Sequence, residues 1–97
     1  MGVKTSEKLK QERILSQLQH LAEQLGAEVR EEKGDFIGGW CTVDGDDYVF
    51  LNRKHDTAQK ISVLARSIAE QNLEGIFILP AIREILEKYT TVPIEPE

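Results

Sequence analysis

The stretch Phe36-Ile37-Gly38-Gly39-Trp40-Cys41-Thr42-Val43-Asp44-Gly45-Asp46-Asp47-Tyr48-Val49-Phe50-Leu51-Asn52 decides the fold. Two largely apolar runs flank an Asp-Gly pair, a strong short-range signal for a β-hairpin. The stretch holds the chain's one Trp, its one Cys and most of its aromatic residues. Strand alternation sets Ile37, Cys41 and Val43 on one face and Phe36, Trp40 and Thr42 on the other. A two- or four-residue loop puts Tyr48 and Phe50 on the Cys41 face, with Val49 and Leu51 on the Trp40 face; a three-residue loop exchanges them. Either way both faces carry large apolar groups. The sheet is therefore expected to be covered on both sides, or covered on one side with an aromatic patch exposed on the other. Gly38-Gly39 inside a strand is costly, and points to a bulge or to close approach of a helix or ligand.

Upstream, Ala27 to Glu32 alternates as a strand whose many charges suit an edge position, and Lys33-Gly34-Asp35 turns the chain into the hairpin. Residues 1–26 read as one long helix that ends at Gly26, with Ile14, Leu18, Leu21 and Leu25 as its apolar stripe. That stripe either docks on the protein's own sheet or forms a seam for a partner helix, such as a second copy of itself. Downstream, Asp56 and Gln59 form a capping box for a second helix with Ala58, Ile61, Leu64, Ala65 and Ile68 on its inner face. Ile76 to Leu79 is a fourth strand or a buried connector. Pro80 opens a third helix, in which Ile82, Ile85, Leu86 and Tyr89 face inward. Residues 1–5 and 90–97 are expected to be flexible ends. Element order thus predicts a single α+β domain: a long N-terminal helix, a three- or four-stranded antiparallel sheet centred on the hairpin, and two C-terminal helices.

Composition bounds the chemistry. The chain has 97 residues, 40% hydrophobic and 30% charged, as expected of one folded domain. A single Cys excludes an internal disulfide and fits a reducing compartment. No apolar run approaches the roughly 18 residues of a membrane span and no export leader is evident, so a cytoplasmic protein without membrane contact is expected. Met1 to Ser6 matches the N-myristoylation pattern, a short motif read here as incidental. A net charge of −5 disfavours a dedicated nucleic-acid binder.

Cys41, His20 and His55 lack metal-site spacing, and the acidic turn Asp44 to Asp47 is too short for an EF-hand loop; no metal and no cofactor is expected. Cys41 with His55 is the candidate nucleophile pair, but a cysteine is most often simply packed, so Cys41 is expected in the core. The sharpest binding candidate is the hairpin exit. From residue 52 to 66 the chain carries four bases, Arg53, Lys54, Lys60 and Arg66, against one acid, Asp56. The positive N-terminal end of the second helix adds to them, and Trp40 is placed to flank an anionic ligand there. The plainer reading is a solvated charged turn.

Gly38-Gly39-Trp40-Cys41, Asp44-Gly45, Val49-Phe50-Leu51-Asn52 and Leu79-Pro80-Ala81-Ile82-Arg83-Glu84 together resemble a group of small bacterial proteins of uncharacterised function. Those proteins share a Gly-Gly-aromatic-Cys hairpin and a closing Leu-Pro-x-Ile-Arg-Glu helix, and the likeness runs from about Leu25 to Glu87. It implies a bacterial, cytoplasmic setting and carries over no activity or catalytic residue. The expected function is non-enzymatic: an interaction module working through self- or partner association, first of all as a homodimer. The alternatives are an anionic ligand or nucleic acid at the basic cluster and, behind it, an enzyme using Cys41.

Overall fold

The computed structural model describes the backbone of residues 2–90 and the side chains of residues 7–89. The side chains of the Met1–Ser6 pattern, and the tail from residue 91 onward, lie outside the described residues. The elements are α1 (Gly2–Gln24), β1 (Ala27–Glu32), β2 (Gly38–Val43), β3 (Asp46–Asn52), α2 (Thr57–Ala69) and α3 (Pro80–Thr90). Helix α1 already begins at Gly2, inside the segment expected to fray. Ile76 to Leu79 forms no strand: Ile78 is buried while Phe77 and Leu79 stand exposed, so the segment is a connector pinned by one side chain.

The sheet corrects the expectation of an antiparallel meander. Its order is β1-β3-β2, with β2 antiparallel to β3 but β1 parallel to it. Residues 33–37 carry the chain across the end of the sheet, and the hairpin then folds β3 back into the gap between β1 and β2. The parallel crossover is thus made by a loop, a strand and a turn instead of a helix. Composition explains the order. Val49 and Leu51 of β3 are fully buried, whereas four of the six residues of β1 are charged and suit an edge.

The hairpin loop is two residues long, Asp44 at φ 52° and Gly45 at φ 85°, closing the pair Val43–Asp46. Positive φ at both central positions is the turn whose twist matches the strands it joins. This length fixes the faces. Val49 and Leu51 share the inner face with Trp40 and Val29, while Tyr48 and Phe50 share the outer face with Cys41 and Arg30.

Helices cover the inner face alone. Helix α1 packs on β1 and α2, α2 lies over β2 and β3, and α3 packs on α2. The core joins Leu18, Leu21 and Ala22 of α1 to Val49 and Leu51, to Leu64, Ala65 and Ile68 of α2, and to Ile82 and Leu86 of α3. The apolar stripe of α1 is therefore spent largely within the domain, with Ile14, Leu15 and Leu25 at its margin. Residues 7–13 of α1 are all exposed, Leu9 at 57%.

Candidate functional site

At the hairpin exit the organising residue is Asn52, which is buried. Its Nδ2 donates to the carbonyls of Gly34 and Phe36, both at 2.8 Å, and its Oδ1 accepts from the Lys54 N–H at 3.0 Å. One amide thereby ties the 33–37 loop over the end of β3. The adjacent Arg53 N–H donates to the Glu32 carbonyl at 2.8 Å, extending the β1–β3 ladder by one bond.

Around this exit the basic residues divide. The Arg53 guanidinium donates to the Glu31 carbonyl at 3.2 Å, and the Lys60 ammonium reaches the Glu31 carboxylate at the same distance. Lys54 sits 3.8 Å from Asp35, fully in solvent, a contact worth little. Arg66 lies elsewhere, with its guanidinium 5.5 Å from the centre of the Tyr89 ring. It lines a small depression of about 180 Å³ with Trp40, Gly38, Gly39 and Ser67, between α2 and β2. Arg53 and Lys60 thus gather at β1, on one edge of the sheet, and Arg66 and Trp40 at β2, on the other.

The N-terminus of α2 is also occupied. The Asp56 carboxylate accepts from the Gln59 N–H at 2.9 Å, and the Gln59 side chain accepts from the Asp56 N–H at 3.3 Å. The expected capping box therefore forms, and it uses N–H groups that an anion would need.

Gly38 and Gly39 lie where the hairpin meets α2. Gly38 has φ +104°, and a Cβ there would stand 2.3 Å from the Phe50 carbonyl oxygen and 3.3 Å from the Val63 side chain. Gly39 has φ +139°, with Ser67 Oγ 3.9 Å from the corresponding position. The close Phe50 carbonyl and Val63 account for Gly38, and the positive φ accounts for Gly39, without a ligand.

Among the described residues, no helix lies on the outer face of the sheet. Tyr48 and Phe50 stack with centroids 5.7 Å apart, and the Arg30 guanidinium lies 5.2 Å from the centre of the Tyr48 ring. Arg30 also donates to Glu28 at 3.1 Å, and this bond pushes its pKa above the ordinary arginine value. Cys41 is exposed on this face, a correction to the packed thiol expected from residue type alone. Cys41, Phe36, Phe50 and Glu32 line a shallow depression of about 390 Å³ in which His55 has no part. The Nδ1 of His55 is buried without a hydrogen-bond partner.

A wider groove of about 490 Å³ runs between α1, at Gln17, His20 and Gln24, and the connector at Phe77 and Leu79. Among the described residues no three His, Cys, Asp or Glu side chains converge as a metal site, and no helix is long and apolar enough to cross a membrane.

Sequence reasoning missed Asn52, because a buried amide at a strand end leaves no periodic signal. It also missed the pairing of Arg30 with Tyr48, which depends on a parallel register between strands distant in the chain. The fold and the surface together define an α+β domain with a mixed three-stranded sheet, one face covered by helices and the other without a covering element among the described residues. Comparison of the chain with protein-family models, with curated proteins and with solved structures finds no match in any of the three.

Proposed function

We propose that the protein is a small non-enzymatic interaction module that acts by association, as a homodimer or with a protein partner, through the uncovered side of the β2–β3 hairpin. One observation carries this reading: Tyr48 and Phe50 stack on a sheet face that no element among the described residues covers, beside exposed Cys41 and Val43. The rings, with Glu28, Arg30 and Glu32 of β1 along one side of them, resemble the apolar core and part of the polar rim of a protein interface. The helical stripes offer less free apolar surface, because their buried residues already form the core. Anion binding at Arg53, Lys54, Lys60 and Arg66 has weaker support. Lys60 and Lys54 already face carboxylates, Arg53 is bonded to a carbonyl, and Arg66 with Trp40 belongs to the opposite edge.

Sedimentation velocity across the micromolar range tests the proposal. The expected species is a dimer, twice the 11.0 kDa chain mass. A chain that stays at 11.0 kDa throughout removes the homodimer.

A further inference from the structure

The two edges of this sheet are built differently. Strand β1, Ala27–Glu32, presents Glu28, Arg30, Glu31 and Glu32, the charged dress that keeps an edge from pairing with other chains. Strand β2, Gly-Gly-Trp-Cys-Thr-Val, has no charge and no proline, and sits at the opposite end of the sheet order. Large hydrophobics stand exposed at both ends, Ile37 just before it at 71% and Val43 as its last residue at 49%. The two edges are thus unequal: β1 resists pairing by its charges, and β2 carries none.

The turn specifies which groups are free. Asp44-Gly45 is a two-residue loop, so Val43 and Asp46 bond each other across it. Alternation then pairs Cys41 with Tyr48 by hydrogen bonds and turns the N–H and C=O groups of Trp40 and Thr42 outward. Those outward groups want a strand.

We infer that a second copy of this chain supplies it: β2 pairs antiparallel with β2 of the second copy about a two-fold axis at Cys41, making one six-stranded sheet. Side-chain alternation permits a two-fold axis only at a residue position, so that inner face joins inner face. The Cys41 position uses the regular end of the strand, with Trp40 opposite Thr42, and spares Gly38 and its positive φ. It meets no like charge along the strand, whereas β1 paired with itself would set carboxylate near carboxylate. It also brings Asp44 of one copy opposite Gly38 of the other, where Arg66 lines the adjoining depression with charge of the opposite sign. The bare outer faces, each with its Tyr48–Phe50 stack, then run on as a single surface.

This inference rests on the association reading, and the test separates the two. Sedimentation velocity is run on the unaltered chain and on Thr42→Pro, Cys41→Lys and Tyr48→Glu, with far-UV circular dichroism confirming that each is folded. Thr42→Pro removes an outward N–H and spares the β2–β3 backbone ladder, losing with it only the Thr42 Oγ1 bond to Asp47 Oδ1, and Cys41→Lys sets two ammonium groups face to face. Each is expected to raise the dimer dissociation constant by about tenfold or more, since the symmetry doubles every loss. Tyr48→Glu alters the sheet face one strand in from the edge, and is expected to raise it less than either edge variant. If Thr42→Pro unfolds, Cys41→Lys decides, because Cys41 is exposed. A dimer insensitive to both edge variants but broken by Tyr48→Glu overturns edge pairing and leaves association through the face standing. A monomer in the unaltered chain overturns both.

Discussion

Gly38 and Asn52 lie at the same end of the sheet and set the tolerance of the fold to substitution. A methyl group at residue 38 meets a backbone oxygen, which cannot move without pulling β3, and it also inherits a left-handed φ. Gly38→Ala is therefore expected to cost more than roughly 2 kcal/mol. Gly39→Ala, with the φ penalty and only an ordinary van der Waals contact to Ser67 Oγ for its methyl, should cost about 1–2 kcal/mol. Urea unfolding of the two variants checks the order as well as the sizes. Replacing Asn52 with Ala strands two loop carbonyls and one N–H, and is expected to cost roughly 2–3 kcal/mol. Asn52→Asp goes further, because a carboxylate aimed at two carbonyls is disfavoured in its charged form. Its pKa should rise on folding, so this variant is most stable at acid pH and loses stability as pH climbs through the carboxylate range. A melting temperature that rises with pH over that window would contradict the bonding described for Asn52. Neither residue's role is legible in sequence: Gly-Gly advertises close approach without saying to what, and Asn52 looks like a strand-ending turn residue.

The helices were far more legible than the sheet, for a physical reason. Helical signals are local: Asp56 and Gln59 are three residues apart, Pro80 marks its own helix start, and the inward positions of α2 and α3 recur within a few residues. Exchanging Asp56 for Ala removes the cap and is expected to cost about 1 kcal/mol, or a fall of roughly 4–8 °C in Tm for a domain of this size. The charges of β1 correctly mark an edge strand, but an antiparallel meander would also leave β1 at an edge. Which strand takes the centre is a matter of long-range burial, and β3 wins it with Val49 and Leu51. The exposed face could have been found from one feature. Glu28, Arg30 and Glu32 alternate onto the side that β1 shares with Tyr48 and Phe50, but only the parallel register brings the two sets together. The position of Cys41 follows from the antiparallel β2–β3 register set by the two-residue turn, and general burial preferences for cysteine pointed the wrong way. Its thiol is expected to react with Ellman's reagent in the folded protein without denaturant. A native thiol that reacts only after unfolding would contradict the face assignment.

Across the whole molecule, one layer of helices rests on one layer of sheet, and the basic residues that composition had grouped are distributed between its two edges. Stability is expected to be uneven along this frame. Amide exchange should be fastest over residues 7–13 of α1, which bury nothing, and slowest in β3 and the centre of α2. The topology also bears on how the chain is made. Strands β1 and β2 share no ladder with each other; each is paired only through β3, the last of the three to leave a ribosome. A nascent chain that has emerged only as far as Gly45 therefore has two strands with nothing to hold them together, and the arrival of seven more residues supplies every ladder at once. Assembly of the sheet is a single event that waits for β3, and a chain halted short of Asn52 would also lack the amide that closes the loop above it.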